Sequence, residues 1–171
     1  ARPRLPGSRR KVNRLRRLFE GRHEALVLTH DNPDPDSLAA ALALESLLAS
    51  FGAVRVRIAY GGIIGRAENR NMVRLLRIPA QKVEAAPPRK TDAVILVDTQ
   101  PGFANNSLPE GLVPLAVIDH HEGAGHADVP FVDVRREYGA VSTILTEYVV
   151  SAGLRPSPAL ATALCYALSL I

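Results

Sequence analysis

Two stretches of this chain are apolar almost from end to end, and each finishes on an acid. They are "DAVILVD" at residues 92–98 and "PLAVID" at residues 114–119. A strand with one wet face alternates polar and apolar residues. A strand covered on both faces is continuously apolar, the mark of a parallel sheet inside an α/β domain. A third run, "EALVLTH" at 24–30, is short and rich in strand formers, and "VRVRIAY" alternates as a strand with one solvated face does.

Helical patterns lie between these runs. "DSLAAALALESLLASFG" has Asp36 or Ser37 near its start and Gly52 after its end. "RAENRNMVRLLRI" is amphipathic and must stop before Pro79, while "YGAVSTILTEYVVSAG" and "SPALATALCYALSLI" read as two closing helices. The last is too short to span a bilayer and reads as a buried helix. The alternation predicts an α/β domain with a mostly parallel sheet flanked by helices.

The charge of +4 is unevenly spread. Residues 1–17 hold eight Lys or Arg and no acid, leaving 13 basic against 17 acidic residues elsewhere. The start therefore reads as a basic helical segment, residues 1–21, with Ser8 as its cap and Val12, Leu15, Leu18 and Phe19 on one packing face. Such an arm would also attract nucleic acid by counterion release. The one cysteine, Cys165, excludes an internal disulfide or a cysteine-rich zinc site, and in an apolar helix it reads as an inert core residue. With no secretory signal visible, a cytoplasmic protein is expected.

In a parallel sheet, ligands bind beyond the carboxyl ends of the strands. Three strands here end in candidate metal ligands: His30 running into "HDNPDPD", Asp98, and the triplet Asp119, His120, His121. Pro33 and Pro35 stiffen the first loop and hold Asp34 and Asp36 extended. Two stiff carboxylates beside an imidazole form a costly cluster unless cations neutralise them. Capping of the helix by Asp31, Asp34 or Asp36 is the plainer reading, but it leaves His30 and the second carboxylate unexplained. Oxygen and imidazole donors without thiolate favour manganese, magnesium, iron or zinc. Asp98 would bridge two ions, an arrangement suited to phosphoryl chemistry. Ser142 and Thr143 begin a helix whose amides either meet an anion or, the favoured reading, simply pack and cap. "GGIIG" reads as a turn, His23 and His126 as surface residues, and Asn69, Arg70 and Asn71 as a solvated helix face or a cleft wall.

The ordered set "THDNPDPDSLAAALAL", "ILVDT", "VIDHHEG" and "YGAVSTILTEYV" resembles the DHH phosphoesterases over roughly residues 22–171. That family is similar to single-strand-specific DNA exonucleases, nanoRNases, cyclic dinucleotide phosphodiesterases and family II pyrophosphatases. The resemblance implies a two-manganese site, with magnesium or another divalent ion as substitute. His30 and Asp34 would hold the first ion, Asp36 and His120 the second, and Asp98 both. Asp119 would orient an imidazole, His121 would contact substrate phosphate, and Arg135 is the candidate for a further phosphate contact. The implied partner is a short or single-stranded nucleic acid or a small nucleotide, with no membrane; pyrophosphate hydrolysis and non-catalytic nucleotide sensing are the alternatives. The family also implies another metal-binding aspartate beyond the last helix and a second, substrate-binding domain. Neither lies within these 171 residues, so the expectation is the catalytic domain of a longer protein.

Overall fold

The computed structural model describes residues 5–52, 54–90, 92–123 and 126–170. The elements run α1 (Pro6–Leu18), β1 (Glu24–Leu28), α2 (Pro35–Ala49), β2 (Arg55–Tyr60), α3 (Ala67–Leu76), β3 (Ala80–Lys82), β4 (Val94–Val97), β5 (Ala116–Asp119), β6 (Phe131–Val134), α4 (Val141–Ser151) and α5 (Pro158–Leu168). All six strands pair in parallel, in the order β3-β2-β1-β4-β5-β6. The α/β, all-parallel architecture is the one the apolar runs predict.

The strand order carries the functional information. From β1 the chain builds outward through β2 and β3, then returns to the other side of β1 with β4 and continues through β5 and β6. The direction reverses between β1 and β4, and a crevice opens at such a reversal, outside the carboxyl ends of the strands. Leu28 pairs with Leu96, and Val97 with Ile118, so β1, β4 and β5 end at about the same level.

The central strands β1, β4 and β5 bury both faces by alternation. Ala25, Val27, Ile95, Val97, Ala116 and Ile118 join the larger core, to which all five helices contribute. Leu26, Leu28, Val94, Leu96 and Val117 point to the opposite face, which loop residues such as Val83, Leu108, Leu112 and Val129 cover. The central helix α2 is apolar around nearly its whole circumference, because it packs on the sheet as well as on α4 and α5.

Several local expectations differ from the fold. β3 and β6 are absent from the sequence reading: three- and four-residue strands, one just after Pro79 and one carrying Asp133, give too short a pattern to register. Ser8 does not cap α1; Leu5 holds that position, and the Ser8 hydroxyl donates to Glu147 of α4. The packing face of the basic segment is as expected, with Val12, Leu15 and Phe19 buried in the main core; its residues 1–4 lie outside the described residues. Cys165 is exposed rather than buried, because α5 turns Leu160, Ala163, Leu164 and Ala167 inward. Among the described residues no helix is long and apolar enough to cross a membrane.

Candidate metal centre

His30, Asp34, Asp36, Asp98, His120 and His121 line one cavity of about 420 Å³ at the reversal between β1 and β4. Two groups of ligand atoms form there: His30, Asp34 and Asp98, and Asp98 with Asp119, His120 and His121. Asp98 belongs to both.

Each side chain is aimed by a local device. Asp34 is the N-cap of α2, accepting from the Ser37 amide through Oδ1 at 3.0 Å; the capping and ligand readings meet in one residue. Asp36, in the first turn of α2, reaches the start of α4, where Oδ2 accepts from the Val141 amide and Oδ1 from the Ser142 amide, both at 2.9 Å. The anion at that helix start is thus the chain's own carboxylate. Asp98 follows β4 in a left-handed conformation, φ 61°, which turns its carboxylate into the crevice. It is 3% exposed, and its Oδ1 is buried without a hydrogen-bond partner. A bare buried carboxylate oxygen is expensive, and a cation would satisfy it.

The imidazoles point the same way. His30 Nδ1 donates to the Asp31 carbonyl at 2.8 Å, and His120 Nδ1 to the Tyr138 carbonyl at 3.1 Å. Both rings therefore turn Nε2 toward carboxylates: His30 lies 3.5 Å from Asp98 Oδ2, and His120 lies 3.5 Å from Asp98 Oδ1 and 3.9 Å from Asp36. A ring tethered through Nδ1 with Nε2 free is the usual arrangement of a metal-ligating histidine. Three carboxylates and two imidazoles suit hard or borderline divalent ions. The residues present fit divalent metal ions.

Asp119 is fully buried and its oxygens are all engaged: Oδ1 by the His120 and His121 amides and His121 Nδ1, Oδ2 by Gln100. It orients its neighbours. His121 stands beside His120 at the rim, with half its side chain exposed.

Arg135 is not brought to this cavity. Its guanidinium bonds Asp133, Glu147 and Ser8, against a separate cavity of about 700 Å³ beside α1. The reason is Asp133, which β6 buries and which needs a counter-charge; burial would raise its carboxyl, but the charges of Arg135 and Lys11 and the hydrogen bond from the Tyr148 hydroxyl hold it below the usual range. Arg135→Met should therefore lower stability by on the order of 3 kcal/mol, since it leaves a buried charge underpaired. Thermal melts read the loss, and manganese titration of the same variant should be unchanged. A variant as stable as the wild type would show that the network contributes nothing.

Two supports gave no sign of that role in the sequence. The first is "GGIIG". A Cβ at Gly61 would lie 1.9 Å from Asp31 Oδ1, and one at Gly62 would lie 2.4 Å from Asn32 Oδ1, so both glycines let this turn press against the His30 loop. The second is the loop after β4. Its Asn105 carbonyl accepts from the Asp31 amide at 2.6 Å, and its Ser107 hydroxyl donates to Asp31 at 3.0 Å. His126, expected at the surface, is half-buried and bonds Gln100.

The electrostatics of the metal-free centre follow from its carboxylates. Burial alone would lower the His30 pKa, but Asp34 and Asp98 push it up to about 10. Asp98 raises His120, against burial, to about 9. Burial would raise Asp34, yet His30 and the Ser37 amide hold it below its ordinary value. Burial and the Asp98 charge raise Asp36 in spite of its amide bonds.

Both histidines titrate above their ordinary 6.5. Their protons therefore contribute stability that is complete below pH 6.5 and lost as pH rises through about 9 and about 10. A divalent ion must displace those protons. Manganese binding should thus release protons near neutral pH and tighten toward alkaline pH. Calorimetry in buffers of different ionisation enthalpy measures the release. Binding with no proton exchange would exclude these histidines as ligands.

The chain's relatives agree with the motif reading. A family model described as "DHH family, N-terminal domain" matches residues 24–168. The chain belongs to the DHH family. It is also 36% identical over 162 residues to MJ1633 of Methanocaldococcus jannaschii, a protein described as uncharacterized. That match covers 95% of this chain but 33% of the relative, so the chain spans about a third of the length of the curated relative it matches. Within the DHH domain, the triplet that gives the family its letters is Asp119, His120 and His121 at the end of β5.

Proposed function

We propose that this DHH domain is the catalytic domain of a manganese-dependent phosphoesterase, cytoplasmic, acting on short or single-stranded nucleic acid or on small nucleotides. The observation that carries the proposal is the pair of ligand groups sharing Asp98, set where the sheet reverses direction.

A pair of divalent ions held there supplies positive charge for a phosphate and acidifies a water. The chain's own residues do the rest. His30 and Asp34 would hold one ion, Asp36 and His120 the other, and Asp98 both. Asp119 holds the His121 ring by Nδ1, and His121 would offer Nε2 to the substrate phosphate, steadying the charge that develops there.

The surroundings favour an extended, nucleic-acid-like polyanion over the compact pyrophosphate. Helix α1 carries six Lys or Arg and no acid, and Arg9, Arg10, Arg14, Arg16 and Arg17 are exposed. Its Ser8 meets Arg135 at 2.9 Å, just before the segment whose Tyr138 carbonyl holds His120. The test is incubation of the manganese-loaded protein with a single-stranded oligonucleotide, 3′-phosphoadenosine 5′-phosphate, a cyclic dinucleotide and pyrophosphate. Manganese-dependent release of nucleotides or phosphate from one of the first three is expected. Turnover of pyrophosphate alone would replace the proposal with a pyrophosphatase, and nucleotide binding without turnover would replace it with a sensor.

A further inference from the structure

Gln100 lies two residues beyond Asp98 and is fully buried. Its side chain is the middle link of a four-residue chain. Nε2 donates to Asp119 Oδ2 at 2.7 Å and to the His121 carbonyl at 2.9 Å. Oε1 meets His126 Nε2 at 2.7 Å. The direction of every bond is forced by chemistry. An ionised carboxylate and a carbonyl only accept, so the amide nitrogen must face them. The amide oxygen then faces His126, which must donate. Asp119, pinned at Oδ2, accepts the Nδ1 proton of His121 at Oδ1, 2.9 Å away. The outcome for His121 is one tautomer, with hydrogen on Nδ1 and a free Nε2.

The surrounding backbone leaves room for this chain and for little else. A Cβ at Gly123 would lie 2.0 Å from Gln100 Oε1 and 2.7 Å from its Cδ. A side chain at position 123 would push the amide out of place. The Gln100 carbonyl accepts from Asn106 Nδ2 at 3.0 Å and from the Phe103 amide at 3.2 Å, which fixes the backbone from which the side chain reaches. Four bonds on one buried carboxylate are more than orientation of two amides requires. Among the described residues, the bond from Gln100 is the one that comes from outside the triplet.

We propose that Gln100, anchored by His126 and given its space by Gly123, is a positioning residue: it locks Asp119, and through Asp119 holds His121 in the Nδ1–H tautomer with Nε2 presented to the substrate. The mechanistic half rests on the reading that His121 meets the substrate phosphate; the tautomer half does not. Loss of the amide frees Asp119 Oδ2 and lets the carboxylate rotate off His121 Nδ1. The imidazole then samples both tautomers, and the one bearing hydrogen on Nε2 presents a different face to the cavity.

The test needs neither metal nor turnover for its first readout. Long-range nitrogen–proton NMR of the imidazoles, on metal-free protein in mildly alkaline buffer, reports the tautomer of His121 directly. The wild type should show the Nδ1–H pattern. Gln100→Met, which keeps the length and removes the polar atoms, should show a mixture. Gly123→Ala leaves Gln100 chemically intact but displaces its flexible end, and should shift His121 the same way; it also serves if the methionine variant does not fold. His30, whose Nδ1 is held by the Asp31 carbonyl instead, should keep its pattern in both. An unchanged His121 spectrum in both variants would overturn the proposal. The second readout is hydrolysis of a generic phosphodiester, bis(p-nitrophenyl) phosphate, by manganese-loaded protein. There kcat should fall about tenfold to a hundredfold with KM and manganese affinity held. A shifted tautomer with unchanged kcat would uphold the positioning role while removing His121 from the reaction, so the two readings fail separately.

Discussion

Asp98→Asn should abolish two-ion binding while leaving the fold intact. Asp98 is the carboxylate that both ligand groups share, and it touches His30 through Oδ2 and His120 through Oδ1, each at 3.5 Å. Asparagine is the informative substitution. It tolerates the left-handed backbone at φ 61°, where alanine would add strain of its own. It matches the shape of the side chain, and its amide nitrogen satisfies one imidazole Nε2. What it removes is a full negative charge and one carboxylate oxygen at the point between the two ions. Residues that merely orient ligands cost about tenfold to a hundredfold in metal affinity when changed, so a shared ligand should cost more than about a hundredfold. Calorimetric titration with manganese reads the loss, and circular dichroism with a thermal melt checks the fold. Two ions bound at near wild-type affinity would end the two-metal account of this domain.

Asp36→Ala should lose both stability and metal, and the two losses can be separated. Helix α4 begins at Val141 after Ala140, whose side chain cannot cap, so Asp36 supplies the cap from α2. The alanine variant orphans two buried amides, for a loss of about 2 kcal/mol. It also removes the carboxylate that faces His120 at 3.9 Å. Burial and the Asp98 charge raise the Asp36 pKa, so its ionised form is a net cost to the metal-free fold, which loses that stability as pH rises past the titration. Asp36→Asn keeps one of the two acceptors for α4 and removes the repulsion. The metal-free asparagine variant should therefore melt well above the alanine variant, while both bind manganese more weakly than the wild type. Equal melting of the two variants would show that the α4 start does not depend on Asp36.

The two ligand-bearing loops were readable because their information is local. His30, Asp34 and Asp36 lie within seven residues stiffened by two prolines, and Asp119, His120 and His121 are consecutive. The apolar runs before them are long enough to declare a parallel strand from composition alone. Residues whose role depends on a distant neighbour were not readable. Gln100 looks like any polar loop residue until β5 places Asp119 beside it, and His126 like any surface histidine until Gln100 is there to accept from it. Arg135 has the right charge for a phosphate, but Asp133 and Glu147 claim it, one from β6 just before it and the other from α4.

The sequence by itself therefore determined the class of the sheet and the candidate metal-ligating residues at the ends of its strands, because periodicity and short-range spacing follow directly from covalent order. Only the tertiary structure decided which strands are neighbours. Nothing in the residues of β1 and β4 says that they pair, since two equally apolar strands bury as well in another order. Placing β4 beside β1 rather than beside β3 puts Asp98 between His30 and His120, and packing α4 against α2 brings two amides to Asp36 from more than a hundred residues away. Those are contacts of the fold, fixed by how the helices and strands bury their apolar faces together, and they turn three separate strand ends into one centre.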